Sequence, residues 1–297
     1  DFANESVLAT GEWFKFRLNK HGIYKISFAD LQAIGINPAA IDPRNIRIYG
    51  NGGGTLSENN AAPRYDDLTE NPIKVIGESD GVFNQEDYIL FYGEGPVVWD
   101  YSPSEGFFNH RPNYYDDFTY YFITTSKGQG KRIQESQASA TGNETITTFL
   151  DYQLYEQDLI NLSNTGRTWY GDLFDVNLSR DFIFSFPNVD KTKEGRIVTQ
   201  LAARSFGSSN FQLSVDGNSL QTIPIDATQA TGYDWAKGNG TTQRFNPTND
   251  NITVGLKYNR AVNSARGWLD YISVNAWRKI QFNSPQLIFN NTRLIES

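Results

Sequence analysis

Four glycines, at positions 50, 52, 53 and 54 in "RIYGNGGGTL", have a spacing that could form a phosphate-binding loop. They follow a predicted strand, and a glycine-rich loop after a strand is where backbone amides cradle phosphate groups. A P-loop also needs a Lys and a Ser or Thr that lead into a helix, but the chain continues with Thr55, Leu56 and a polar segment broken by Pro63. A dinucleotide fingerprint fails as well, because its third glycine would fall on Thr55. We therefore predict a turn with glycines at positive φ.

A second candidate is a calcium site in "IGESDGVFNQED", where a glycine lies beside acidic residues as in an EF-hand loop. Aligning Gly81 with the invariant glycine of that loop assigns four oxygen-bearing residues to ligand positions, namely Glu78, Asp80, Asn84 and Asp87. The first ligand position then falls on Ile76, and both flanks predict strands. We expect a turn with solvated carboxylates and no cofactor, and we keep Asp80, Asn84 and Asp87 as the metal candidates.

Nucleophilic and acid–base chemistry has little support. The chain has no Cys and two His residues, so a disulfide, a thiolate metal site and a cysteine nucleophile are excluded within it. His21 in "NKHGIY" is predicted to be an exposed turn residue, and His110 in "FFNHRPNYYDDF" a hydrogen-bonded structural residue. No G-x-S-x-G occurs, and no pair of acids is singled out for glycoside hydrolysis. We predict no catalytic residue.

Carbohydrate binding is the third candidate, because jelly-roll sandwiches often present Trp and Tyr rings to sugars. Four such residues lie near predicted strand ends or loops, namely Trp169, Tyr170, Trp235 and Trp268. The competing interpretation is that they fill the core between two sheets, as most of the Phe, Tyr and Trp residues must. A stand-alone carbohydrate-binding β-sandwich module is therefore an alternative function for the chain.

Composition limits the class of protein. A chain of 297 residues with 38% hydrophobic and 14% aromatic residues has enough material for two domains. The net charge is −8, and the first 140 residues hold 19 Asp and Glu against 12 Lys and Arg. The basic residues are scattered singly, so nucleic acid is not an expected partner. No stretch approaches the roughly 20 apolar residues of a membrane span. Because the sequence begins at Asp1 and not at Met, we expect a processed or engineered fragment from which any signal peptide has been removed.

The first part of the chain alternates apolar and polar residues with period two, which predicts strands. The runs are "EWFKFRL" from 12, "GIYKI" from 22, "NIRIYG" from 45, "PIKVIG" from 72, "DYILFYG" from 87 and "TYYFITT" from 119. One short helix interrupts them, with Ser27 and Asp30 as a capping box, Leu31 on its apolar face and Gly35 at its end. A polar stretch from 126 to 145 places the domain boundary between residues 138 and 139.

The second part is also predicted to be β-rich. Strands are expected at "DFIFSF" from 181, "RIVTQLAARSF" from 196, "FQLSVDG" from 211, "LQTIPI" from 220, "NITVGLKYN" from 251 and "GWLDYISVNAWRKI" from 267. Asp216 and Gly217 lie between two alternating runs and predict a hairpin, whereas "FLDYQLYEQDLINL" at 149–162 could hold a short helix. The predicted fold is mainly β: an N-terminal β-rich domain, residues 1–138, with one short helix, then a jelly-roll-like β-sandwich, residues 139–297.

Six stretches carry a family resemblance. They are "GEWFKFRLNKHGIYKISFADLQAIGI" at 11–36, "NPAAIDPRNIRIYGNGG" at 37–53, "FNQEDYILFYGEGPVVW" at 83–99, "NHRPNYYDDFTYYFIT" at 109–124, "NTGRTWYGDLF" at 164–174 and "ARGWLDYISVNAWRKI" at 265–280. Their order and spacing resemble the N-terminal region of the type IX secretion system sortases, a family of gingipain-like cysteine peptidases of Bacteroidetes. The resemblance extends over nearly the whole chain.

The resemblance implies a parent enzyme that cleaves the C-terminal sorting domain from secreted cargo and joins the cargo to anionic lipopolysaccharide. In that family a Cys and His pair in a caspase-like domain does this chemistry, so no catalytic residue carries over to this Cys-free chain. The chain would then position the peptidase domain, dock proteins of the attachment complex, or contact cargo or glycan. The implied location is exported, at the outer membrane and cell surface of a Gram-negative bacterium.

Overall fold

The chain divides into two compact units. The computed structural model describes residues 3–137, 142, 144–164, 166–230 and 234–296. Unit 1 comprises Asp1–Trp99 and Arg111–Gly142, and unit 2 comprises Asp100–His110 and Asn143–Ser297. The boundary predicted between residues 138 and 139 lies outside the described residues.

Unit 1 is built mainly from short antiparallel strands. In chain order the first strands are β1 (Phe14–Leu18), β2 (Gly22–Ser27), β3 (Arg47–Tyr49), β4 (Glu70–Asn71), β5 (Lys74–Ile76), β6 (Tyr88–Gly93), β7 (Val98–Ser102), β8 (Phe107–Arg111) and β9 (Thr119–Thr124). Single 3-10 turns occupy Val7–Ala9, Pro38–Ala40, Pro43–Asn45 and Glu78–Asp80. The two sheets of unit 1 have the orders β1-β9-β3-β4 and β2-β6-β5. Strands β7 and β8 pair with each other, and their residues from Asp100 to His110 belong to unit 2. All six strands predicted for this part are present.

The helix of unit 1, α1 (Phe28–Ala33), has the ends that its sequence predicts. The Ser27 hydroxyl accepts from the backbone N–H of Asp30, and the Asp30 carboxylate accepts from the backbone N–H of Ser27 at 2.8 Å. At the other end Gly35 has φ 99°, and the Ile36 N–H donates to the Leu31 carbonyl at 3.0 Å, as in a Schellman motif. Leu31 is fully buried, so the capped helix covers the core of unit 1.

Unit 2 is a jelly-roll sandwich. Its strands are β10 (Thr148–Glu156), β11 (Leu173–Phe174), β12 (Ser179–Ser185), β13 (Gly195–Arg204), β14 (Ser209–Val215), β15 (Asn218–Ile225), β16 (Lys237–Phe245), β17 (Asn251–Asn259) and β18 (Arg266–Lys279), followed by α2 (Thr292–Glu296). One sheet has the order β10-β18-β13-β16, with β11 also on β18, and the other β12-β17-β14-β15. Leaving β11 aside and numbering the others 1 to 8, the orders are 1-8-3-6 and 2-7-4-5, the jelly-roll arrangement. The predicted mainly β fold with a sandwich is confirmed.

The prediction of a short helix within residues 149–162 is wrong. Residues Thr148–Glu156 form β10, which pairs antiparallel with β18 from Thr148↔Lys279 to Glu156↔Tyr271. Phe149 and Leu150 are buried at the start of this strand. Pairing with a long neighbouring strand therefore decides the conformation of a segment whose local pattern is ambiguous. No helix in the described part of the chain is long and apolar enough to cross a membrane.

The hairpin predicted at Asp216 and Gly217 is confirmed. These residues join β14 to β15 with φ angles of 49° and 80°. Two successive positive φ angles are the requirement of a type I′ turn, whose twist matches that of the flanking strands. The turn brings Phe211, Leu213 and Val215 into the sandwich core in register with their neighbours on β15.

A buried polar cluster attaches residues 100–110 to the sandwich of unit 2. Asn275 on β18 is fully buried, and its carboxamide accepts from the Phe108 N–H at 2.8 Å and donates to the Phe108 carbonyl at 3.1 Å. Arg196 on β13 donates to the Glu105 carboxylate at 2.9 Å, the Phe108 carbonyl at 2.8 Å and Asn109 Oδ1 at 2.6 Å. We call Arg196 and Asn275 the hairpin anchor, because they bind the hairpin that β7 and β8 form. The anchor supplies hydrogen-bond partners for the N–H and C=O groups of Phe108, which would otherwise be buried without partners at a cost in stability.

Candidate functional site

Tyr170 and Trp235, two of the four predicted carbohydrate-binding residues, line one pocket in unit 2. The pocket has a volume of about 270 Å³. One wall is formed by residues 162–163, 166–168 and 170, between β10 and β11, and the other by residues 234–236, directly before β16. The polar and aromatic lining residues are Ser163, Arg167, Thr168, Tyr170, Asp234 and Trp235. We call this the Trp235 pocket.

The Trp235 ring is held by two neighbours. Its centroid lies 5.5 Å from that of Trp268, with the ring planes at 49°. The guanidinium carbon of Arg204 lies 4.6 Å from the same centroid. Trp235 is 40% exposed but Trp268 only 3%, so Trp268 supports Trp235 and has no free face for a sugar. Trp268 is thereby a core residue of unit 2.

Trp169 does not line the Trp235 pocket. It is 41% exposed and lies between two lining residues, Thr168 and Tyr170. Tyr170 forms an isolated antiparallel bridge with Ile160, and in extended backbone successive side chains point to opposite sides. The structure thus separates the two exposed tryptophans that the sequence grouped together.

The polar residues of the pocket were not predicted. Arg167 and Thr168 directly precede Trp169 in "GRTWY", and Asp234 directly precedes Trp235 in "YDW". Polar groups next to an exposed aromatic residue fix the orientation of a bound sugar. Their adjacency to the predicted aromatics was the signal that could have identified them.

Asp270 lies close to this region in a β-bulge. The register between β13 and β18 changes from Gln200↔Tyr271 to Leu201↔Leu269, which leaves Asp270 as the extra residue. Burial, and then the charge of Asp158, raise the pKa of Asp270 to about 7. Burial, and then the Asp270 carboxylate, also raise the pKa of Tyr170 above its usual value. The Tyr170 phenol therefore keeps its proton at neutral pH and remains a hydrogen-bond donor.

The Asp270→Asn variant is expected to be more stable than the parent chain at pH 8 and nearly equal to it at pH 4. A carboxyl with a raised pKa in the folded state binds more protons there than in the unfolded state, so folding loses stability as pH rises from about 4 to about 7. The amide carries no charge and avoids this loss, which we put at about 1–2 kcal/mol because the group keeps some solvent contact. Urea unfolding at both pH values measures it. An equal effect of the substitution at pH 4 and pH 8 would contradict the argument.

The acidic turn considered for calcium is tied together by its own side chains. Asp80 accepts from the Val82 N–H at 3.0 Å and from the Asn84 carboxamide at 3.1 Å. Asp87 is buried, and it accepts from the Asn84 N–H at 2.7 Å. The expectation of solvated carboxylates is wrong for Asp87, because its oxygen closes the turn. Within the described ranges, no three or more His, Cys, Asp or Glu side chains are grouped so that they could hold a metal ion.

The glycine run is a turn, as predicted. Gly52 and Gly54 have φ angles of 78° and 87°. At Gly53 a Cβ atom would lie 1.7 Å from the carbonyl oxygen of Gly95. The run therefore allows two backbone segments of unit 1 to pass in close contact.

The histidines both have structural surroundings. Nε2 of His21 lies 2.6 Å from the Val97 carbonyl oxygen, and His21 is half-buried rather than exposed as predicted. The His110 ring meets Tyr271 edge-on with centroids 4.4 Å apart. Burial, and then the Arg196 charge, lower the pKa of His110 to about 4, so its imidazole is neutral at physiological pH. The prediction of a structural role holds for His110.

Comparison with known proteins gives a match over nearly the whole chain. The chain is similar to PorU from Porphyromonas gingivalis, whose crystal structure is described as dimeric and latent, with a TM-score of 0.76 and 24% sequence identity. The match covers 96% of this chain and 27% of that chain, so this chain has the fold of a part of PorU and spans about a quarter of its length. No protein-family model and no curated protein matches the chain.

Two carbohydrate-binding modules are similar over parts of the chain. The CBM36-1 domain of a multidomain xylanase from the hindgut metagenome of Trinervitermes trinervoides has a TM-score of 0.27 and 10% identity, covering 42% of this chain and 96% of that domain. A CBM36 module in complex with calcium and xylotriose has a TM-score of 0.26 and 13% identity, covering 41% and 98%. Scores this low do not bear on the fold or function of this chain.

Proposed function

We propose that the chain is the non-catalytic N-terminal accessory region of a sortase-type cysteine peptidase of the type IX secretion system. The observation that carries the proposal is the match to PorU over 96% of the chain at a TM-score of 0.76. The six sequence stretches that resemble this family are spread over both units. Sequence pattern and backbone geometry thus support the same relationship.

Catalysis is assigned to a part of the parent protein outside this chain. The chain corresponds to 27% of the matched PorU chain and contains no Cys. A cysteine peptidase domain elsewhere in the parent would supply the nucleophile and remove the sorting domain of secreted cargo. Division into domains 1–138 and 139–297 belongs to the same proposal.

The accessory region would act as a support for that domain at the cell surface. Its expected tasks are to position the peptidase domain and to dock cargo sorting domains or proteins of the attachment complex. The proposed location is exported and exposed on the outer membrane of a Gram-negative bacterium. The rigid sandwich of unit 2 suits such a task, because sites on packed strands are held more precisely than sites on loops.

The test begins with the gene on both sides of the codons for residues 1–297. We expect a caspase-like domain with a Cys and a His in the same reading frame. The longer product should cleave a cargo C-terminal sorting domain, and removal of residues 1–297 should lower that cleavage or the docking of the cargo. A Cys→Ala change in the peptidase domain is the control for the chemistry.

Two results would contradict the proposal. One is a reading frame that holds no peptidase domain. The other is a peptidase domain whose cleavage and docking are unchanged when residues 1–297 are removed.

A further inference from the structure

We infer that the Trp235 pocket binds a single pyranose unit of a neutral glycan. This inference goes beyond the proposed accessory function and does not depend on it. It rests on an aromatic surface, a set of hydrogen-bonding groups and a charge balance that occur together in one pocket of unit 2.

Two packed neighbours support the aromatic surface before any ligand binds. Trp235 keeps 40% of its surface exposed while Trp268 and Arg204 pack against its ring. Sugar C–H groups need an apolar ring surface, and a ring that is already fixed loses little conformational entropy when it is covered. The buried Trp268 therefore has a definite part in the site, which is to hold Trp235 in place.

The hydrogen-bonding groups match the hydroxyls of a sugar. The lining includes the hydroxyl groups of Ser163, Thr168 and Tyr170, the guanidinium of Arg167 and the carboxylate of Asp234. Hydroxyl groups both donate and accept, a guanidinium donates through a planar fork, and a carboxylate accepts. A ring with several neighbouring hydroxyls can use all three kinds of partner.

The charges and the size favour a neutral monosaccharide unit. The pocket lining holds one basic and one acidic residue, Arg167 and Asp234, and Asp234 also pairs with Lys237. The volume of about 270 Å³ is slightly below the range of pockets for drug-sized ligands, about 300–1,000 Å³, and suits one sugar ring of a chain that continues into solvent.

The experiment measures binding of neutral methyl glycosides to the chain of residues 1–297. The probes are methyl glycosides of glucose, galactose, mannose, xylose and N-acetylglucosamine, with glucuronic acid and glucose 6-phosphate as charged comparisons. We expect at least one neutral probe to show saturable quenching of tryptophan fluorescence with a Kd of about 1 mM. The charged probes should bind at least tenfold more weakly.

The chain offers a matched pair of variants, because Trp235 and Trp169 are almost equally exposed at 40% and 41%. Trp235→Ala should raise the Kd at least tenfold, and Trp169→Ala should change it less than twofold. Because Trp235→Ala also removes a contact with Trp268, Thr168→Val provides a second test with the ring contacts intact. It should weaken binding about fivefold without changing the thermal unfolding of the chain.

Three results would overturn the inference. The first is that none of the neutral probes binds at 50 mM. The second is that glucuronic acid or glucose 6-phosphate binds more tightly than every neutral probe. The third is that Trp169→Ala weakens binding as much as Trp235→Ala, which would place the sugar outside the pocket.

Discussion

Arg196→Met is expected to lower the free energy of unfolding of unit 2 by about 3 kcal/mol. Arg196 is 4% exposed, and its guanidinium donates to Glu105, to the Phe108 carbonyl and to Asn109. Met keeps most of the aliphatic volume but leaves these acceptors without their cationic donor. The loss stays below the sum of three charged hydrogen bonds because the Glu105 side chain is 50% exposed and regains water.

Arg244→Met is the matched control for Arg196→Met. The guanidinium carbons of Arg244 and Arg196 lie 4.9 Å and 5.2 Å from the same Phe107 ring. The Arg244 side chain is 57% exposed, and its partner Glu194 is 54% exposed, so this substitution should cost less than about 1 kcal/mol. Urea unfolding followed by tryptophan fluorescence measures both variants, and hydrogen exchange of the Phe108 amide reports the attachment of its strand.

Either of two results would show that the hairpin anchor does not stabilise unit 2 to a large extent. One is that Arg196→Met and Arg244→Met differ by less than about 1 kcal/mol. The other is that the Phe108 amide, which donates to Asn275, exchanges at the same rate in the parent chain and in Arg196→Met.

The hairpin anchor also shows what the sequence could not reveal. Asn275 lies in "WLDYISVNAWRK", where its neighbours predict a strand but nothing indicates a buried carboxamide. Its partner Phe108 is far away in the sequence and belongs to the same unit only through the fold. The Asn275 side chain bonds the Phe108 backbone as a neighbouring strand would. Such a side chain leaves no periodic pattern in the sequence, so its role is visible only in the folded structure.

The strands with alternating apolar residues were predictable because burial imposes the period. Phe211, Leu213 and Val215 alternate with polar residues and all enter the core. By contrast, β16 has the sequence "KGNGTTQRF", with almost no apolar residues, and becomes a strand by pairing with β13 along Gly195–Ala203. The two-residue strands β4 and β11 are too short to show any period.

The candidate site was predictable only in its aromatic part. Trp235 and Tyr170 stood out because they lie near predicted strand ends or loops, where jelly-roll sandwiches present aromatic rings to sugars. Whether a given ring faces a pocket, the core or open solvent depends on how residues 162–163 and 166–168 meet residues 234–236, which are distant in the sequence, around one pocket. For this reason the sequence could not separate Trp235, Trp169 and Trp268, although the structure gives each a different surrounding.

Gly53→Ala is expected to destabilise unit 1 by about 2–4 kcal/mol. The added Cβ would lie 1.7 Å from the Gly95 carbonyl oxygen and 2.6 Å from its carbonyl carbon. Both are backbone atoms, so no rotation of a side chain can relieve the overlap. The next residue is fixed as well, because the Gly54 N–H donates to the Pro96 carbonyl at 3.1 Å and Gly54 has φ 87°. The overlap can therefore be relieved only if the backbone at Gly53 moves away from the backbone at Gly95.

Gly238→Ala is the control for Gly53→Ala, because a Cβ atom at Gly238 meets its nearest neighbour, the Leu201 carbonyl oxygen, at an ordinary 3.5 Å. It should change the unfolding free energy by less than about 1 kcal/mol in either direction. Thermal and urea unfolding compare the two variants. If Gly53→Ala is as stable as the parent chain, the loop at 50–54 can move away from Gly95 and accommodate a side chain. Phosphate binding by the backbone amides of this loop would then be the better explanation of its glycines. If the variant is destabilised as expected, the glycines at 50–54 are explained by the close passage of two backbone segments, and their likeness to a phosphate-binding loop is one of composition alone.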